Sequence, residues 1–248
     1  MMLEVKELSK HFNGVQAVDD ISFRIEKGTI TSLIGPNGAG KTTLFNIICG
    51  YTEPDKGYAS IEGEKLNGSA PHAIASMGIG RTFQNLRVIG KISTLDNVLL
   101  AFGNHKKDGF LGALTRSLSR KEEWKNKDKA LEHLGFVGLA DKADEPAGSL
   151  SYGQQKLLSL ACCLALDAKL LMLDEPVAGV NQETITRILS LLEKLRDGGL
   201  TIFFIEHNID AVMDVSDRLI VMDEGRIIAD DIPLKVMMQP AVIEAYLS

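Results

Sequence analysis

Gly35-Pro36-Asn37-Gly38-Ala39-Gly40-Lys41-Thr42 fits G-x-x-x-x-G-K-[ST] at every required position, and its neighbours decide what the pattern means. Thr29–Ile34, just before it, is a short β-branched apolar run that stops abruptly at glycine, as a buried parallel strand does. A helix is expected to follow from Lys41 to about Gly50. Strand, glycine-rich turn and helix in that order make a cradle for phosphate. The glycines let backbone N–H groups curl inward, the helix N-terminus adds its positive end, and Lys41 brings a mobile charge to the β- and γ-phosphates. Gly35, Asn37, Gly38, Gly40, Lys41, Thr42 and Thr43 are the candidate nucleotide-binding residues, with the Thr42 hydroxyl offered to Mg²⁺. A nucleoside triphosphate is therefore the expected ligand. The loop alone does not separate kinase, GTPase and ATPase, but a guanine-reading N-K-x-D is absent, which disfavours a GTPase.

The second half of the chain narrows the chemistry. Leu170-Leu171-Met172-Leu173-Asp174-Glu175-Pro176 reads as a buried strand that delivers two carboxylates at its end. Asp174 is placed to hold Mg²⁺, and Glu175, one residue further and clear of the strand, to polarise an attacking water. Adjacent carboxylates with separate roles suit phosphoryl transfer, where positioning and electrostatics do most of the catalysis.

Outward from these two stretches, the pattern is α/β. Val18, Ile21, Phe23 and Ile25 are spaced roughly as one face of a half-buried strand, Lys27-Gly28 reads as a turn, and Gly57–Ile61 suggests another short strand. From about Ser93 to Leu166 the periodicity is mainly helical, over Thr94–Phe102, Arg120–Leu134 and Gln154–Leu166. Alternation then resumes: helices over Glu183–Leu195 and Ile209–Val215, a strand at Thr201–Ile205, and a hairpin of Arg218–Met222 and Arg226–Ala229 about Asp223-Glu224-Gly225. Such alternation implies a mostly parallel sheet with crossovers, and the helical middle reads as an insertion into it.

Composition removes several classes. The 248 residues suffice for a hydrophobic core without disulfides or a structural metal, and 45% hydrophobic with 24% charged residues is an ordinary globular balance. A net charge of −6 argues against gripping nucleic acid through the overall field. Cys49, Cys162 and Cys163 cannot form a paired framework, which suggests a reducing compartment, and the last two read as small core residues. Met1–Glu7 lacks the apolar core of a signal peptide, and no stretch approaches the ~18–20 apolar residues of a membrane helix. The five histidines, His11, His72, His105, His133 and His207, lack paired ligand spacing, so no structural metal is expected.

Leu150-Ser151-Tyr152-Gly153-Gln154, about twenty residues before the carboxylate strand, is another helix N-terminus with a serine and a bare backbone N–H. It resembles L-S-G-G-Q, the signature of the ABC ATPases, with Tyr152 in place of the first glycine. The resemblance covers essentially the whole chain. It implies a P-loop (RecA-like) core, an N-terminal antiparallel β part and an inserted α-helical subdomain. The expected boundaries are a core over about 1–90 and 164–232, a helical subdomain over about 91–163 and a C-terminal tail over 233–248. It also implies that Ser151, Gly153 and Gln154 cap the γ-phosphate held by an opposite subunit, so the working unit is a head-to-tail pair of the same or related chains. Gln84, in Arg81-Thr82-Phe83-Gln84, matches the glutamine that touches Mg²⁺ and water. His207 matches the switch histidine at the γ-phosphate, and Phe12 the aromatic that stacks on adenine.

Ala178-Gly179-Val180-Asn181 departs from the broad family by ending in asparagine rather than aspartate, which keeps hydrogen bonding and loses a charge. Together with Tyr152, with Ile205-Glu206-His207-Asn208, Ser216-Asp217-Arg218 and the ending Val242-Ile243-Glu244-Ala245-Tyr246-Leu247, it resembles the ATP-binding subunits of branched-chain amino-acid importers. That likeness implies an ATPase at the cytoplasmic face of the membrane, with transmembrane permease subunits, a second ATP-binding subunit and, indirectly, an external solute-binding protein. The docking surface is expected around Gln84–Val98, where Leu86, Val88 and Ile89 are apolar. The alternatives are the ATPase of lipopolysaccharide export and a soluble ATPase of iron–sulfur cluster assembly, whose signature keeps L-S-G-G-E. DNA-repair and translation members carry coiled coils, zinc modules or two cassettes, none of which fits.

Overall fold

The computed structural model describes residues 1–82, 88–102 and 119–247. In chain order the strands are β1 (Leu3–Phe12), β2 (Val15–Ile25), β3 (Ile30–Ile34), β4 (Lys56–Ile61), β5 (Glu64–Lys65), β6 (Ile79–Arg81), β7 (Leu170–Asp174), β8 (Thr201–Ile205), β9 (Arg218–Asp223) and β10 (Arg226–Asp231). The helices are α1 (Lys41–Ile48), α2 (Pro71–Ser76), α3 (Thr94–Ala101), α4 (Ser119–Val137), α5 (Tyr152–Leu164), α6 (Gln182–Asp197), α7 (Ile209–Val215), α8 (Pro233–Met237) and α9 (Pro240–Leu247). Two compact units emerge: Met1–Gln84, Lys169–Ala178 and Gln182–Ser248 in the first, and Asn85–Ala168 with Gly179–Asn181 in the second.

The first unit holds both sheets. One is antiparallel throughout, in the order β2-β1-β4-β5. The other runs β10-β9-β3-β8-β7-β6, parallel from β9 to β6, with β10 closing one edge as the antiparallel arm of the hairpin. Every residue of β3, β7 and β8 is buried on both faces of the sheet, which is why none of them alternates apolar with charged residues, and the polar Thr31 and Ser32 of β3 are buried with the rest. Because these three neighbours are parallel, their C-terminal ends open at one edge. That is the edge where open α/β sheets bind ligands.

β2 explains a spacing that simple alternation does not. Val18 and Ile21 are both buried although three residues apart, because a bulge intervenes: Asp20 takes a positive φ of 51° and its N–H donates to Ser9 Oγ at 3.1 Å. Phe203 of β8 then joins the elements, its ring 5.6 Å from Phe23 of β2 and 4.8 Å from Phe45 of α1.

In the second unit α3, α4 and α5 pack on one another around Val98, Ala130, Leu134, Val137, Leu158 and Ala161, all wholly buried. Ser93 caps α3 by accepting from the Asp96 N–H at 2.9 Å. Cys163 is buried as expected, while Cys162 is partly exposed and its thiol lies 3.5 Å from the Asn97 carbonyl. Among the described residues no helix is long and apolar enough to cross a membrane.

Candidate functional site

Asn37–Thr43 line a cavity of 280 Å³ together with Val15, Ala17, Glu175, Ile205 and His207. The volume is near the lower end of the ~300–1,000 Å³ typical of ligand pockets. The loop that leaves β3 reaches α1 through Gly40, whose φ is 96° and whose position would set a Cβ only 2.0 Å from the Ala17 carbonyl oxygen. Only glycine fits there. Thr42 and Thr43, in the first turn of α1, present N–H groups that no helix can satisfy internally.

Lys41 is buried, and its ammonium donates to the carbonyl oxygens of Gly35 at 2.7 Å and Pro36 at 2.9 Å. Burial lowers its pKa, and the Glu175 and Asp174 carboxylates oppose that shift. Burial raises the pKa of Tyr246 on α9, and the nearby backbone of Gly35 opposes the shift.

The two carboxylates behave differently although adjacent. Asp174 ends β7 almost fully buried, its N–H bonded to Thr82 Oγ1 at 3.1 Å and its Oδ2 paired with Arg81 at 3.3 Å. Burial pushes its pKa up; Arg81 and His207 oppose the shift, and Glu175 adds to it. Glu175 leaves the strand with a positive φ of 52°, a strained backbone for a non-glycine residue. Its Oε1 lies 3.2 Å from His207 Nε2, so the expected base and the expected switch histidine touch in this chain.

Glu206 holds that pair in place. It is 1% exposed, and its Oε1 accepts from the Val177 N–H at 2.8 Å while Oε2 accepts from the N–H groups of His207 at 3.0 Å and Asn208 at 3.3 Å. One carboxylate thus ties the segment after Glu175 to the segment carrying His207. Arg81 is the second residue that sequence reasoning passed over. It bridges Asn46 of α1, at 2.8 Å, to Asp174 of β7, and its guanidinium lies over the rings of Phe45 and Tyr51 at 5.8 and 5.6 Å. The signal for Glu206 was an acid directly behind the apolar run Ile202-Phe203-Phe204-Ile205; Arg81 had none beyond its motif.

The remaining expected residues stand as follows. Phe12 is 44% exposed at the end of β1, with the Lys10 ammonium 5.4 Å from its ring centre, and it is not among the cavity residues. Ser151, Gly153 and Gln154 belong to the second unit. There Ser151 caps α5 in a reciprocal box: its Oγ accepts from the Gln154 N–H at 3.3 Å, and Gln154 Oε1 accepts from the Ser151 N–H at 2.9 Å. Gln84 and Leu86 lie outside the described residues; Val88 is half-buried and Ile89 is exposed. No group of three or more His, Cys, Asp or Glu able to hold a metal occurs among the described residues.

A family model described as ABC transporter matches residues 18–178. The chain is similar to a high-affinity branched-chain amino acid transport ATP-binding protein, BraF, of Pseudomonas aeruginosa, with 38% identity over 248 residues, covering 99% of this chain and 97% of that protein. Among solved structures, an ATP-binding cassette of an ABC transporter in its ADP conformation aligns with a TM-score of 0.87 at 32% identity, covering 100% of this chain and 98% of the other. A dimeric cassette in a post-hydrolysis state, bound to ADP and Pi, aligns with a TM-score of 0.79 at 26% identity, covering 94% and 99%.

Proposed function

The chain belongs to the ABC transporter family of ATP-binding subunits, and from that premise we propose that it is the ATP-hydrolysing motor of an importer for branched-chain or other amino acids. The observation that carries the reading is the meeting of the phosphate loop and the Glu175–His207 pair on one cavity.

Asn37–Thr43 receive the triphosphate of ATP through backbone N–H groups. Lys41 exchanges its bonds to the Gly35 and Pro36 carbonyls for bonds to phosphate oxygens, so no new burial of charge is required. Thr42 and Asp174 supply hard oxygen donors, the kind Mg²⁺ accepts when waters and phosphates complete its shell. Mg²⁺ held there would offset the charge on the phosphate oxygens. Glu175 polarises the attacking water, and His207 orients that carboxylate before turning to the γ-phosphate. Gln84 is assigned to Mg²⁺ and water, and Phe12 to the adenine face.

The working unit is a head-to-tail pair with a second ATP-binding subunit, the same chain or a related one. In it Ser151, Gly153 and Gln154 cap the γ-phosphate bound by the other member. The dimeric cassette supports the pairing of two ATP-binding subunits. Separate transmembrane permease subunits dock on the surface around Gln84–Val98, where Ile89 is 50% exposed, and hold the chain at the cytoplasmic face of the membrane. An external solute-binding protein delivers the solute to them.

Affinity purification of the tagged chain from detergent-solubilised membranes, with mass spectrometry of what accompanies it, tests the proposal. Two polytopic subunits and a second ATPase are the expected companions. A cytosolic scaffold with nothing from the membrane would overturn the transport reading and leave the ATPase chemistry standing.

A further inference from the structure

Gly179, Val180 and Asn181 are flanked in sequence by residues of the first unit, yet they cluster with the second, the one that carries Ser151 and α5. A specific contact accounts for this. Gly179 has a φ of +74°, and a Cβ built on it would lie 3.2 Å from Tyr152 Cε1 and 3.9 Å from Cδ1 and Cζ of the same ring. The ring is held on its helix as well: the Nζ of Lys156, one turn further along α5, lies 5.6 Å from its centre, and Lys156 is itself buried. Tyr152 therefore lies between an ammonium and the side of Gly179 where a Cβ would project, although nearly half of it faces solvent.

We propose that Tyr152 is a positioning residue that fastens the Gly179–Asn181 turn to the helix bearing the signature serine, with Gly179 as its close-packed partner. The two departures of this sequence from L-S-G-G-Q and from an aspartate-ended turn then fall on one connected surface rather than on separate ones. Gly179 is joined by a peptide bond to Ala178, only three residues beyond Glu175. Any displacement of α5 when Ser151 meets a nucleotide is passed through the ring to the segment that follows the hydrolytic carboxylate. The coupling role rests on the paired-ATPase reading given above; the fastening itself does not.

Two measurements on the full-length chain keep these apart. Without nucleotide, Tyr152→Gly should raise hydrogen exchange at the Val180–Gln182 amides about tenfold, and Tyr152→Phe should leave it within about twofold, because the ring and not the hydroxyl makes the contact. Equal exchange in Tyr152→Gly and the parent would overturn the proposal. In a double-mutant cycle of ATP turnover, Gly179→Ala should cost about tenfold against Tyr152 but about threefold or less against Tyr152→Gly, the remainder being the positive-φ strain that both backgrounds share. The same loss in both backgrounds would overturn the coupling. A parent chain with no ATP turnover would count against the function proposed above, and the exchange comparison would still decide whether Tyr152 holds the turn.

Discussion

Glu206 offers the sharpest test of how the Glu175–His207 pair is held, because its buried carboxylate accepts three backbone N–H groups that flank the pair. Glu206→Ala deprives the N–H groups of Val177, His207 and Asn208 of their acceptor. Val177 is buried, so its N–H bears the full desolvation cost of about 1–3 kcal/mol, while the other two, nearer the surface, recover part of theirs from water. A total of roughly 2–4 kcal/mol follows, and at about 2–4 °C per kcal/mol for a chain of this size the melting temperature should fall by roughly 5–15 °C. Glu206→Gln keeps one acceptor oxygen but turns an amide N–H toward a backbone N–H, so roughly half that fall is expected. Calorimetric melts measure this directly. Phosphate release, followed well below the lowered melting point, should also drop about tenfold or more, since loosening Glu175 and His207 by a fraction of an ångström is costly to chemistry. Nucleotide affinity should hold within about twofold, because the phosphate loop is untouched. A Glu206→Ala chain that melts within about 1 °C of the parent and turns over normally would refute the reasoning.

Lys41→Ala should weaken nucleotide binding about tenfold to hundredfold, the worth of charge-assisted bonds to phosphate, as read by titration calorimetry; unchanged affinity would remove Lys41 from the phosphate site. Glu62 is held at about 2, well below its usual 4.5, by hydrogen bonds first from Lys169 and then from Lys27. The stability it contributes is therefore complete above its unfolded value and is lost as pH falls from about 4.5 through 2. Lys169→Met should flatten the fall of melting temperature across that window, and the difference from the parent should shrink in about 1 M salt, since the pair is exposed. Val88→Asp with Ile89→Asp should abolish solute uptake while leaving the isolated chain's ATP turnover unchanged; normal uptake would count against docking there.

Much of this architecture was legible in the sequence because it depends on contiguous patterns. The strand before Gly35, the strand before Asp174 and the hairpin about Glu224 each announce themselves within ten residues, and all three form as expected. β6 did not, since Ile79-Gly80-Arg81 is too short to show any period, and it is defined only by pairing with β7 far along the chain. The same limit hid parts of the site. Arg81 meets Asp174, and Tyr246 meets Gly35, across long stretches of chain, so neither partnership leaves a local trace. Phe12 shows the opposite case: a strand aromatic is a core residue by default, and its exposure at the end of β1 appears only in three dimensions. Ser151 and Gln154 carry both readings at once. Their S-x-x-Q spacing is a helix-capping box, and within this chain that is the bond they make.

The most direct test of the central claim is Mg²⁺-dependent phosphate release by Glu175→Gln beside the parent chain, with ATP binding measured on both. Glu175→Gln should bind ATP about as tightly as the parent and lose on the order of 10²–10⁴ in turnover, the usual worth of a general base. Near-normal hydrolysis by that variant would contradict the assignment of Glu175 and, with it, the mechanism built on the cavity it shares with His207.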